Sequence, residues 1–152
     1  MNQTPSVPDS SATSGYGFHC ALPPMEFSQA IALVTEALKT EGFGVLTDID
    51  VQATMKAKLG IEGRPYRILG ACNPPLAHQA LMAEPDIGLL LPCNVVVREN
   101  AEGRLVVGFM DPVAVLQMTP NPEVGRVAHE VRQRLDRVRS VLLAPARQPG
   151  AT

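Results

Sequence analysis

The sequence predicts an α+β fold: an antiparallel sheet of about five to six strands, two main helices packed on one face, and short connecting helices. Three observations lead there. Short apolar or alternating runs recur along the chain, as strands require. Two longer stretches repeat apolar residues at helical spacing. Between these runs stand Gly, Pro, Asn and Asp, at positions that cap or end elements.

In order, Gly15 to Leu22 alternates and reads as a first strand, ended by Pro23-Pro24. Met25 to Glu41 carries Phe27, Ile31, Val34 and Leu38 on one helical face, and Gly42 follows as its stop. Phe43 to Ile49 is a second strand. Asp50 caps a helix over Val51 to Leu59, with Met55 and Leu59 expected on its buried side and Gly60 ending it. Pro65 leads into a third strand, Tyr66 to Cys72. Asn73 then caps a short helix that starts with Pro74, whose missing N–H costs nothing there.

Ile87 to Val97 is the most apolar run and reads as a central strand. Pro92 inside it predicts a bulge or an edge, because proline cannot donate to the ladder. Asn100 to Gly103 is a hairpin loop, and Arg104 to Met110 the returning strand. Val113 to Thr119 is expected as a short strand or turn. Val124, Val127, Val131, Leu135, Val138 and Leu142 then mark a long helix that starts at Asn121-Pro122.

The 152 residues suffice for one domain, expected over 15–143, with disordered tails at 1–14 and 144–152. Net charge is −2 and there is no Trp, so neither a basic footprint nor an aromatic platform marks a nucleic-acid binder. No run is long enough to span a membrane, and nothing resembles a signal peptide. Three cysteines without such a signal are expected as reduced thiols in the cytoplasm. Charged residues are only 18%, against ~25% usually. That leaves two readings: surface covered by a second copy, or simply a hydrophobic monomer.

The candidate site lies between Arg64 and Val97, where two apolar strands each carry a Cys-Asn pair beside a proline. Cys72 ends a strand next to a helix start, where free N–H groups stabilise a thiolate, and Arg64 and Arg67 add positive charge. The plainer reading of Cys72 and of Cys93 is a small packed core residue. Meeting across strands or across a dimer axis, the two thiols would suit a soft metal such as Cu(I), or sulfane-sulfur chemistry. Asn73 is accounted for by capping. Asn94 is not, because Asn is depleted in strands. Tyr66 and Arg67 face opposite ways by the period of two, and Arg67 is expected to pair with Asp86 or Asp111 or to bind an anion. His78 and His129 form no triad with a nucleophile. The arginines of the last helix, interleaved with Glu and Asp, read as a solvated face.

Two blocks carry a resemblance. One is Pro65-Tyr66-Arg67-Ile68-Leu69-Gly70-Ala71-Cys72-Asn73-Pro74; the other is Leu89-Leu90-Leu91-Pro92-Cys93-Asn94-Val95. With Glu36 to Val51, they resemble the bacterial and archaeal family called domain of unknown function 302, over roughly Gly15 to Leu143. The resemblance implies an α+β fold similar to half of a TATA-box-binding-protein saddle, and a homodimer. It implies neither DNA binding nor a catalytic residue.

Three functions follow. The first is a small dimeric binding protein holding a small ligand, soft metal ion or sulfur species at Cys72, Asn73, Cys93, Asn94, Tyr66 and Arg67, with Cys72 and Cys93 as metal ligands. The second is an interaction module without a chemical site. The third is a thiol-dependent enzyme. The sequence names no cofactor, and neither a nucleic acid nor a membrane is expected as a partner.

Overall fold

The computed structural model describes residues 15–144, so the expected tails at 1–14 and beyond Ala144 lie outside the described residues. Five strands form one antiparallel sheet: β1 (Gly17–Ala21), β2 (Gly44–Asp50), β3 (Tyr66–Cys72), β4 (Cys93–Glu99) and β5 (Leu105–Met110). Their spatial order is β1-β5-β4-β3-β2, which leaves β1 and β2 as the edges. The helices are α1 (Phe27–Lys39), α2 (Val51–Leu59), α3 (Pro74–Ala83), α4 (Pro112–Leu116) and α5 (Pro122–Leu143). No helix among the described residues is long and apolar enough to cross a membrane.

The core lies between one face of the sheet and the helices. Leu69, Val95, Val97, Val107 and Phe109 meet Val34 and Leu38 of α1 and the apolar stripe of α5. Each such side chain, once buried, contributes about 1.5–3 kcal/mol. The α5 stripe runs as its spacing predicts, from Val124 to Leu142, and every member is buried. Phe18 stacks on its cross-strand partner Phe109 with ring centroids 5.1 Å apart. The Arg132 guanidinium lies 3.9 Å from the Phe18 centroid and bonds Asp111 at 2.6 Å and Asp136 at 3.0 Å. A cation on an aromatic face, held by two carboxylates, ties α5 to the β1–β5 edge.

The turn from α1 into β2 is fixed from three sides. Gly42 takes φ +86°, and a side chain there would meet Asn73 Nδ2 at 2.9 Å. Asn73 Nδ2 and Arg134 Nη1 both donate to the Glu41 carbonyl, at 3.2 and 3.1 Å. Arg137 bonds the Glu41 carboxylate at 3.0 Å.

Four expectations are corrected. Ile87 to Val97 is not one strand: Pro85–Leu90 is a 3-10 helix, and the ladder starts at Cys93. Pro85 opens that helix and Leu91 N closes it on Gly88 O; Pro92, after a cis peptide bond, has no N–H to pair and stays outside the strand. The sheet's bulge is instead in β2, between Val45 and Thr47. Pro112–Leu116 is a helix rather than a strand or turn, because Asp111 accepts from Val113 N and Ala114 N as its cap. Met55 and Leu59 are exposed, and α2 has no buried residue: it follows an edge strand and has nothing to pack under.

Candidate functional site

Antiparallel register puts directly paired residues on the same face. Opposite the helices, three rows therefore cross the sheet. The first is Ala21–Val106–Arg98–Tyr66. The second is His19–Gly108–Val96–Ile68–Ile49. The third holds Gly17 beside Met110, and Asn94 beside Gly70 and Thr47. This helix-free face is mainly apolar, with a few polar side chains standing on it.

Small residues let neighbours lie flat across it. A side chain on Gly70 would run into Thr47 Oγ1 and come 2.9 Å from Pro92 Cγ, so the threonine and the proline ring close over that glycine. A side chain on Gly108 would meet the His19 imidazole at 3.1 Å. The Cys-Asn repeat of the sequence thus surrounds a glycine, with Pro92 on one side and Asn94 as its cross-strand partner.

The six expected site residues divide. Tyr66, Cys72 and Asn94 belong to the helix-free face; Asn94, opposite Gly70, is two strand positions from Cys72 and four from Tyr66. Arg67 alternates to the other side and forms a two-pronged bond with Asp48, at 2.7 and 2.8 Å, not with Asp86 or Asp111. The reason is proximity across β2–β3; Asp111 is taken by Arg132. That bond holds the Asp48 carboxyl below its usual range. Asn73 is buried and fully engaged: Oδ1 accepts from Leu76 N at 3.3 Å and Nδ2 reaches Glu41. Cys93 pairs with Ala71 and points into the core.

The thiols do not match the activated pair expected. Burial pushes Cys93 up to about 12, with Cys72 nearby adding in the same direction. Burial also raises Cys72. The arginines expected to lower it are engaged elsewhere, Arg67 with Asp48 and Arg64 with Glu99 at 2.9 Å. Among the described residues, no three His, Cys, Asp or Glu side chains group as metal ligands do.

Two side chains of the open face stand out by what they lack. Asn94 is exposed, and its carboxamide bonds no other described residue. Arg98, half-buried on the same strand, forms no hydrogen bond, ion pair or ring contact with any described residue. Arg98 is the residue sequence reasoning missed. The signal was present: Asn94, Val96 and Arg98 alternate along one strand and so share a face.

Two clefts lie elsewhere among the described residues. One of about 520 Å³ sits between the β1–α1 connection and the β4–β5 hairpin, beside Glu26 and Glu99. Another of about 410 Å³ runs between α3 and α5, beside Arg126 and Arg134. Their charged carboxylates and arginines are mostly paired, while Gln79, His129 and Gln133, exposed beside the second cleft, bond no other described residue. Glu26 works in the capping box of α1, Glu99 pairs with Arg64, and Arg126 and Arg134 pair with Glu123 and Glu130. The sheet differs in that one of its unpartnered groups, Arg98, is half-buried.

No curated protein matches this chain. Among solved structures, an uncharacterized conserved protein DUF302 from Bacillus stearothermophilus is 27% identical. The match covers 84% of this chain and 98% of that one, with a TM-score of 0.76. The model of the family described as domain of unknown function DUF302 matches residues 18–142, which takes in all five sheet strands but the first residue of β1, and nearly all of α5. By that match the chain belongs to the DUF302 family.

Proposed function

We propose that this chain is a binding module rather than an enzyme, and that its ligand lies on the helix-free face of the sheet. Asn94 and Cys72 serve as polar handles, and Tyr66 lies toward the far end. The observation that carries this reading is Asn94. A strand seldom holds Asn, and this one is exposed on a largely apolar face with its carboxamide unused. A carboxamide offers two donors and an acceptor, enough to orient an organic ligand. The glycine across from it brings Thr47 and Pro92 close on either side.

The homodimer belongs to this proposal, joined along the β2–α2 margin. Leu46, Ile49, Met55, Leu59 and Ile61 are all exposed there, beside an unpaired strand edge. Soft-metal and sulfur chemistry find less support, because both thiols are held in the protonated form and face different ways.

Amide chemical-shift mapping with a library of small organic fragments tests the reading. The expected outcome is that hits shift β3 and β4 amides around Gly70 and Asn94, and that Asn94→Leu removes them. Hits confined to the hairpin cleft, or hits indifferent to Asn94→Leu, would overturn it.

A further inference from the structure

The helix-free face carries no acidic side chain. None of the three rows contains Asp or Glu, yet Arg98 stands in the first row between Val106 and Tyr66. Six other described arginines, Arg64, Arg67, Arg126, Arg132, Arg134 and Arg137, pair with at least one carboxylate each, and Arg139 lies by the Phe18 ring and donates to the His19 carbonyl. Arg98 has no such partner, and it is half-buried rather than splayed into solvent. Its aliphatic stem flanks Val106, which is 1% exposed although it stands outside the helix-side core. The stem thus covers apolar surface while the guanidinium is left to find an anion.

The occupant of this face must bring that anion itself. A second copy laid face to face would add another Arg98 and no carboxylate. Arg98 and Asn94 are four residues apart on β4, about 13 Å, with Val96 between them. An occupant that reaches both is polar at its ends and apolar in the middle.

We propose that the helix-free face binds an apolar anion, a carboxylate carried on a hydrocarbon or aromatic body, with the Arg98 guanidinium as its charge partner. This rests on the reading above that the face is a binding face. The planar fork of arginine suits a carboxylate, which can accept two N–H bonds at once.

The test compares two fluorescent probes that differ in charge and by one methyl group, dansylaminoundecanoic acid and its methyl ester. The wild-type chain is expected to bind the acid at least ~10-fold more tightly than the ester, the factor one charge-assisted bond carries. Arg98→Gln is expected to equalise the two, Arg98→Lys to keep part of the preference, and Arg126→Gln, on the helical side, to change nothing. Circular dichroism of each variant checks that it is folded. If both probes bind equally to the wild type, or Arg98→Gln keeps the preference for the acid, the anion is not what this face selects. In that case the binding face itself survives. If neither probe binds, the binding-face reading fails, and this inference with it.

Discussion

Among single residues, the buried thiols lead to the firmest predictions. Cys20 is pushed up to about 11 and Cys93 to about 12 by burial, while the half-buried Cys72 is raised as well. In the native protein a thiol-specific disulfide reagent is expected to label Cys72 alone; all three cysteines should react only after unfolding. Labelling of Cys93 at the same rate as Cys72 would contradict the packing. Burial also sets a pH dependence. Thiols in the unfolded chain ionise near 9, whereas the folded chain keeps those protons to about 11 and 12. Stability is therefore intact below about pH 9 and falls above it, by up to ~1.4 kcal/mol per pH unit for each thiol. Urea titrations on either side of that point should show the loss, and a Cys20→Ala/Cys93→Ala double variant should flatten it. Gly70 makes a separate prediction. Gly70→Ala forces a methyl group into Thr47 and Pro92 and should cost about 1–3 kcal/mol. Adding Thr47→Gly should recover part of the loss in a double-mutant cycle. Period two already separates Tyr66 from Arg67 in the sequence. The Asn94–Gly70 pairing was not legible, because it depends on register between strands, which no local pattern carries.

At the level of elements, caps and stripes were readable and the neighbourhood of Pro92 was not. Asp50, Asn73, Asp111 and Asn121 each accept from a backbone N–H at a helix start. Capping is local chemistry, so sequence alone finds three of these four caps; at Asp111, directly after the returning strand, it did not. A short apolar run is ambiguous between strand and helix, and Ile87 to Leu90 went to the 3-10 form because Glu84 and Pro85 start a turn just before it. For α2 the failure is different: its apolar residues are real, but this chain offers nothing to bury them. Asn73 links two elements, and its variants can be told apart. Asn73→Ala loses both the α3 cap and the bond to Glu41, and should lower stability by about 1–2 kcal/mol. Asn73→Asp keeps the acceptor for Leu76 N but loses the Nδ2 donor, so thermal melts should place it between wild type and Asn73→Ala. Equal melting of the two variants would mean that the Glu41 bond contributes nothing.

For the whole molecule, the question is what covers the β2–α2 margin. A nine-residue helix is too short to be stable in water on its own, and α2 has no buried residue to anchor it. Leu46 is 66% exposed and Leu59 65%, a poor arrangement for a free surface but an ordinary one for the rim of an interface. The other sheet edge differs: β1 lies close to α5, whose Arg139 donates to the His19 carbonyl at 3.4 Å. Of the two edges, the β2 edge is the one flanked by exposed apolar residues. A twofold axis beside β2 would pair two such edges and bury both copies of α2's apolar residues, which fits the low charge content of 18%. Sedimentation of the wild type should give the mass of two chains. Ile49→Lys with Leu59→Glu should give one chain, with α2 amides exchanging faster than in the wild type and the protection of α5 retained. A wild-type chain that sediments as a monomer at high concentration would remove the proposed dimer. The apolar margin would then be open to a partner of another kind, and the open-face site would have to act within a single copy.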